Sequence, residues 1–348
     1  MPDQVTDLNV VFNVPLPAPA LLMHEIPRTD AQAGTVVAAR RRIEDILCGR
    51  SDRFMIIVGP CSIHDPAQGL EYAAKLAVLR EEVKDRIEIV MRVYFEKPRT
   101  SVGWKGLIMD PDLDGTAKFA EGLRQARTLL GKIVDLGMPT ATEFLGPMTP
   151  QYIGDLICWA AIGARTVESQ THREMASGLS MPVGFKNTTF GGVTAVVNAL
   201  KAAIAPQTFF GICPEGSVSM VSTRGNASGH TVLRGGDGGP NYDAESVAVV
   251  TEALGKSGVS QAVVIDASHA NCSKDYRKMV GVFESIIAQR VAGNRSIVGA
   301  MLESNLVEGS QDILSDHAAM TRGQSVTDPC IGWEETERII RDAAQRLR

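Results

Sequence analysis

Residues 54–65 read FMIIVGPCSIHD: five apolar residues in a row, a Gly-Pro break, then a cluster of polar and reactive side chains. Residues 261–271, QAVVIDASHAN, repeat the design. An unbroken apolar run of strand length suits a parallel strand covered on both faces, whereas a strand with one wet face alternates. Working outward from these two stretches, such runs fall at 55–59, 87–93, 139–143, 163–167, 182–186, 231–234, 262–266 and 297–302. Helical stretches lie between them at 67–83, 116–136, 150–161, 171–177, 194–203, 243–257 and 274–292. Asp65 and Pro66 mark the start of the first, an N-cap followed by proline at the first helical position. Eight strands alternating with helices fit a closed TIM (β/α)8 barrel, in the α/β class, better than an open doubly wound sheet.

Two segments fall outside this rhythm. Residues 1–50 contain VPLPAPALLMHEIP at 14–27 and then a helix over 31–47. Proline cannot join a central ladder, so this part reads as an extended arm and a helix, packed on the barrel or on a partner subunit. Residues 207–223 hold two short β-like runs, TFFGIC and SVSMVST, around a Pro-Glu-Gly turn, and read as an inserted hairpin. The catalytic barrel takes the remainder, 51–348.

Composition narrows the function. At 348 residues and 44% hydrophobic, the chain can bury a sizeable core. It has no apolar run near the roughly 18 residues of a membrane span, and no signal-peptide pattern. A soluble, cytoplasmic protein without a membrane partner is expected. The six cysteines form no CxxC pair, which argues against a disulfide framework or a structural zinc module. A net charge of -5 argues against nucleic acid as a partner. The glycines of GGVT and RGGDGG match neither a Walker A loop nor a dinucleotide fingerprint, so no nucleotide site is expected.

In a barrel of this kind the chemistry stands at the C-terminal ends of the strands. Arg92, Arg165, Lys186 and Arg234 accompany the ends of apolar runs, and Lys97 and Arg99 follow shortly after Arg92. Any one of these cations reads most simply as a solvated charge or an ion pair. Together, in an acidic chain, they point to anionic substrates: arginine forks onto phosphate and carboxylate, and lysine adds a point charge. A second set is Cys61, His269 and Glu303, at the ends of the first, seventh and eighth strands, with Asp328 in the following loop. The first and eighth strands are neighbours in a closed barrel. One thiolate, one imidazole and two carboxylates suit one divalent ion such as Mn, Fe, Co or Zn. The bland alternatives are an inert core cysteine and a helix-capping histidine. Cys330 reads as a bystander able to oxidise with Cys61.

Longer motifs carry a family resemblance. GPCSIHDP (59–66), MRVYFEKPRTSVGWKGL (91–107), AIGARTVESQTHREMASGLSMPVGFKN (161–187), LRGG (233–236), DASHANCSKDY (266–276) and TDPCIGWEET (327–336) resemble the microbial type I 3-deoxy-D-arabino-heptulosonate 7-phosphate (DAHP) synthases. The resemblance runs from about residue 43 to near the C-terminus. It implies a TIM barrel that condenses phosphoenolpyruvate with erythrose 4-phosphate and water, giving DAHP and phosphate, at the entry to the shikimate pathway and aromatic amino acid biosynthesis. It implies that Arg92, Lys97, Arg165, Lys186 and Arg234 hold phosphoenolpyruvate. Lys97, Arg99 and Thr100 would hold erythrose 4-phosphate, with Glu143 also in the substrate-binding set. Cys61, His269, Glu303 and Asp328 would bind the metal, and Lys97, Arg92 and His269 would take the catalytic roles. A homodimer or homotetramer exchanging N-terminal arms is implied as well.

The chain departs from the family pattern in places. Thr188-Thr189-Phe190 stands where Gly-Thr-Asp is usual, and DGGPNY replaces a shorter, lysine-containing turn. Both loops flank the implied phosphoenolpyruvate site, which leaves room for altered aldose preference in secondary metabolism. Regulated members bind an aromatic amino acid beside the hairpin; the matching positions are Pro150, Gln151, Leu179, Ser180, Phe209, Gly211 and Val221. Gly211 resembles tyrosine-sensitive members. The aspartate that helps orient the effector's ammonium group is Gly146 here, so weak, atypical or absent feedback is expected. Two alternatives remain: a sugar-acid phosphate synthase using arabinose 5-phosphate, which KPRTS argues against, and a non-catalytic barrel that senses aromatic acids, which the intact residue set argues against.

Overall fold

The computed structural model describes residues 5–347. Eight parallel strands close into a barrel: β1 (Phe54–Gly59), β2 (Ile87–Arg92), β3 (Thr140–Glu143), β4 (Trp159–Ile162), β5 (Val183–Lys186), β8 (Gly229–Leu233), β9 (Val263–Asp266) and β10 (Ile297–Glu303). Every residue of these strands is buried, which is why most of their sequences run apolar without alternation, although β3 (TATE) and β8 (GHTVL) bury polar residues too. β1 pairs with both β2 and β10, so the ring is complete. The pairing of Gly59 with Glu303 brings the Cys61 loop beside the end of β10.

The outer layer holds α3 (Pro66–Val83), α4 (Phe119–Asp135), α5 (Thr149–Ile153), α6 (Gln170–Gly178), α7 (Thr194–Ile204), α8 (Ala244–Lys256), α9 (Met279–Val291) and α10 (Trp333–Arg346). Asp65 caps α3, accepting from the backbone N–H groups of Ala67 and Gln68. Between α7 and β8, β6 (Thr208–Ile212) and β7 (Val218–Ser222) form the inserted antiparallel hairpin. Before β1, α2 (Asp30–Leu47) buries Val36, Ala39, Ile43 and Ile46. Arg42 of α2 joins Arg53 and Arg80 around the buried Glu88 of β2, compensating a carboxylate that would be costly alone.

Five sequence expectations change. The strand expected at 163–167 is β4, four residues earlier, and the helix expected at 150–161 stops at Ile153. Both shifts come from CWAAIGA, whose alanines favour helix intrinsically but lie in the barrel wall, where packing overrides propensity. The start of the helix expected at 274–292 is instead a 3-10 turn at Tyr276–Lys278, and α9 begins at Met279. The extended arm contains a helix, α1 (Pro19–Glu25), with Pro19 in its first turn, where no N–H is required. Finally, α10 closes the eighth βα unit, one helix beyond the seven expected between the strands.

Candidate active site

The C-terminal strand ends surround a cavity of about 400 Å³. Its wall includes Arg92, Lys97, Arg99, Thr100, Glu143, Arg165, Lys186, Arg234, His269, Glu303 and Asp328, so arginines and lysines from four strand ends meet at one mouth. Arg92, the last residue of β2, is 1% exposed; its guanidinium stacks 3.9 Å from the Tyr94 ring centroid and donates to Glu303 Oε1 at 3.1 Å. Lys97 follows in the loop after β2, whose base is clasped by Lys97 N–H donating to Lys105 O at 2.9 Å. Its Nζ lies 3.0 Å from Cys61 Sγ and 3.0 Å from Cys61 O. Burial alone would lower the Lys97 pKa, but Cys61 and Glu303 outweigh it and hold the ammonium above its ordinary value.

The remaining cations are placed by neighbouring strands. Lys186 ends β5 and donates to Asp266 Oδ2 at 2.8 Å. Arg234 follows β8, and its backbone N–H donates to Asn187 Oδ1 at 2.9 Å. Because β4 ends at Ile162, Arg165 lies on the exposed rim, 3.3 Å from Thr100 Oγ1. Gly163 permits this exit: a Cβ there would sit 2.1 Å from Glu143 Oε1. Arg99 is exposed in the same loop as Thr100 and donates to Trp104 O at 2.8 Å.

Beside the cations, donor atoms of Cys61, Glu303 and Asp328 lie within 4.8 Å of one another. The Cys61 Sγ–Asp328 Oδ2 distance is 3.7 Å. Burial, with Glu303 adding to it, pushes the Cys61 thiol up to about 11. His269 stands one step back, with Nε2 3.9 Å from Glu303 Oε1 and Nδ1 2.9 Å from Asp266 Oδ2. Two buried polar atoms here, Arg92 Nη1 and His269 Nδ1, lack a hydrogen-bond partner among the described residues. A soft thiolate with two carboxylates, a histidine at hand and unspent donors fits a divalent transition metal.

The sequence model of the DAHP synthetase I family matches residues 28–341. This chain belongs to the DAHP synthetase I family. It is 48% identical over 345 residues to the Tyr-sensitive phospho-2-dehydro-3-deoxyheptonate aldolase of Escherichia coli (strain K12), covering 99% of this chain and 97% of that one. The corresponding aldolase of Haemophilus influenzae is 51% identical over 329 residues, 94% of this chain and 91% of that one. A solved phospho-2-dehydro-3-deoxyheptonate aldolase from Francisella tularensis SCHU S4 superposes with a TM-score of 0.95 at 46% identity, covering 97% and 98% of the two chains.

Within this member of the DAHP synthetase I family a second cavity, of about 330 Å³, lies between α5, α6 and the hairpin. Pro150, Gln151, Leu179, Phe209, Gly211 and Val221 all line it, while Ser180 is exposed and outside its lining. Gly146 sits near its edge, and a Cβ there would fall 2.8 Å from both Glu96 Oε1 and Thr149 Oγ1. The two loops that depart from the family pattern meet at the active-site mouth: Asp237 N–H donates to Thr189 O at 2.9 Å, both residues line the cavity, and Phe190 is exposed.

Sequence reasoning gave no role to Tyr94, Asn187 or Asp266. Asp266 closes the apolar run of QAVVIDASHAN, where a carboxylate at a strand end is visible. Its pairing with Lys186 follows only from the barrel, which brings the ends of β5 and β9 together, while His269 reaches it from three residues on in the same segment. Tyr94 could have been found from its position two residues after Arg92, the spacing that returns a side chain to the same face of an extended segment.

Proposed function

We propose that this DAHP synthase joins phosphoenolpyruvate to erythrose 4-phosphate at the cavity described above, with one divalent metal ion. The observation that carries the reading is the ring of Arg92, Lys97, Arg165, Lys186 and Arg234 around one cavity, beside the Cys61–Glu303–Asp328 donor set. Two multiply charged anions can approach closely only where their charge is neutralised, and a fixed ring of cations also sets the near-attack geometry. Arg92, Arg165, Lys186 and Arg234 would hold the phosphate and carboxylate of phosphoenolpyruvate, while Arg99 and Thr100, with Lys97, would hold the phosphate sugar.

The enol carbon C3 of phosphoenolpyruvate attacks the aldehyde carbon, and charge develops on the aldehyde oxygen. Lys97 donates to that oxygen, stabilising charge that the ground state lacks. Water adds to the cationic C2, and the resulting hemiketal phosphate collapses, releasing inorganic phosphate. Cys61, Glu303, Asp328 and His269 would hold the metal, of the Mn, Fe, Co or Zn class, which when bound supplies Lewis-acid polarisation of the aldehyde. Glu143, opposite Gly163, belongs to the substrate-binding wall.

An aromatic amino acid would enter the 330 Å³ cavity, and with Gly146 in place of a carboxylate its inhibition would be weak. No described helix is long and apolar enough to cross a membrane; membership of a biosynthetic enzyme family supports a cytoplasmic location. The exposed apolar arm and hairpin support a homodimer or homotetramer. The test is phosphate release from phosphoenolpyruvate with erythrose 4-phosphate or arabinose 5-phosphate, after stripping and after adding back Mn, Fe, Co or Zn. Metal-dependent release with erythrose 4-phosphate is expected. Release only with the pentose phosphate, or undiminished release after chelation, would overturn the reading.

A further inference from the structure

Asp266 ends β9 behind Lys186 and His269, which line the active-site cavity, and is 1% exposed. Both of its carboxylate oxygens are committed. Oδ1 accepts the Ser268 N–H at 2.9 Å, which fixes the plane of the group. Oδ2 accepts from Lys186 Nζ at 2.8 Å and stands 2.9 Å from His269 Nδ1. One oxygen atom thus faces both a cation of the substrate ring and a histidine of the metal set.

His269 is held for this purpose by an unusual backbone. Its φ is 57°, in the left-handed region that side-chain-bearing residues seldom occupy. Such a conformation persists where its surroundings enforce it, and it clusters at functional sites. Here it turns Nδ1 toward Asp266 and Nε2 toward Glu303. Yet the Nδ1–Oδ2 contact is out of line for a hydrogen bond, and Nδ1 is a buried polar atom without a partner among the described residues. A small rotation of the ring would complete that bond.

We propose that Asp266 is a positioning residue that couples the two halves of the site: through Oδ2 it sets Lys186 for the anionic substrate and His269 for the metal, so that each ligand strengthens binding of the other. The proposal rests on the assignment of phosphoenolpyruvate to Lys186 and of a divalent ion to His269. When Lys186 turns toward an incoming anion, Oδ2 loses part of a charge-assisted bond and becomes freer to accept from His269. The completed bond fixes the Nδ1–H tautomer and raises the basicity of Nε2 as a ligand. In the other direction, a His269 drawn into line shares Oδ2 and loosens Lys186 for the anion. Thermodynamic linkage requires the two effects to be equal.

The experiment is calorimetric and involves no turnover. Phosphoenolpyruvate is titrated into stripped and manganese(II)-loaded enzyme without aldose, and manganese(II) is titrated with and without phosphoenolpyruvate. In the wild type each ligand should raise the affinity of the other by the same factor, about fivefold or more. Asp266→Asn should bring that factor close to one while both ligands still bind. If the Asn variant fails to fold, Asp266→Glu, which keeps the charge but displaces the oxygens by one methylene, should lower the factor too. A wild-type factor of one overturns the coupling without any variant. A folded variant that keeps the wild-type factor overturns the role of Asp266. Failure of the wild type to bind either ligand overturns the site assignment and the coupling with it.

Discussion

Lys97 is buried, and its ammonium group spends its hydrogen bonds on the sulfur and carbonyl oxygen of a single residue, Cys61. It therefore sits at the boundary between the anion ring and the donor set, where charge on an aldehyde oxygen would appear. Lys97→Met keeps the length and apolar stem of the side chain and removes the donor. We expect kcat to fall at least about a hundredfold, as for loss of a donor to a developing oxyanion, with a smaller loss of phosphoenolpyruvate affinity. Steady-state phosphate release and a binding titration measure the two separately; unchanged kcat would remove Lys97 from the chemistry. Lys97 was legible in the sequence because it follows an apolar run and belongs to a specific motif. Asp266 was half legible, as a strand-end carboxylate without a partner. Its partners come from β5 and from the left-handed turn at His269, and no spacing rule in one sequence expresses a contact between strands.

The loop after β2 and the loop after β3 are joined by one buried carboxylate. Glu96, beside Lys97 in sequence, accepts from Leu145 N–H at 3.3 Å, Gly146 N–H at 3.1 Å and Thr149 Oγ1 at 3.0 Å. Burial pushes its pKa up to about 7 despite those three donors. Between its unfolded value of about 4.5 and this folded value, the native state binds more protons than the unfolded one. Glu96 accordingly lowers stability as pH rises through that window, by about 3 kcal/mol in all at 1.36 kcal/mol per unit. His230 works in the opposite sense. Its Nε2 accepts from Trp159 Nε1 inside the barrel, and burial pushes its pKa down to about 4. Its contribution is present above the unfolded value of about 6.5 and is lost as pH falls toward 4. The two trends overlap and offset each other in the wild type. Glu96→Gln should expose the His230 trend, so that urea midpoints rise more steeply from pH 5 to pH 7.5 than in the wild type; parallel profiles would refute the Glu96 assignment. Close approach in the same region gives a second expectation. Gly163→Ala places a Cβ 2.1 Å from Glu143 Oε1, so Glu143 must leave its position in the cavity wall. Phosphoenolpyruvate KM should rise about tenfold or more, on the order of the 1.4 kcal/mol of a displaced contact, with circular dichroism unchanged; an unaltered KM would take Glu143 out of the substrate wall. The barrel strands around these loops were largely legible, since double-sided burial writes itself as apolar runs. β4 was misread because alanine is a helix former that also fits a crowded barrel wall.

The whole molecule presents an apolar surface that its own barrel does not cover. Val5, Leu8, Val10, Val11, Phe12, Val14 and Leu16 are all exposed along the N-terminal arm, Val11 at 93%. The outer face of the hairpin exposes Phe210, Val218 and Met220, at 88%, 79% and 77%. Its inner residues, Phe209 and Val221, face the second cavity. A two-stranded sheet is marginal on its own, and its free edges are templates for further pairing. The arm is anchored close to this hairpin: Ala20 N–H donates to Pro214 O at 2.8 Å, and Tyr152 Oη donates to Pro17 O at 2.9 Å. These anchors hold residues 17–20, and the apolar side chains before them lie exposed. An apolar, β-branched segment and an uncovered hairpin are complementary, and two copies can exchange them by symmetry. The full chain should therefore run as an oligomer at micromolar concentration in light scattering. Deleting residues 1–16 should reduce the mass, as should Phe210→Ser combined with Met220→Ser, because each removes one side of the same contact. Because these residues lie outside the active-site wall, kcat should stay within about twofold of the wild type, the margin left by surface changes worth under about 0.5 kcal/mol. A wild type that is monomeric, or an arm deletion that leaves the mass per particle at the same number of chains, would show that the arm and hairpin do not meet between copies.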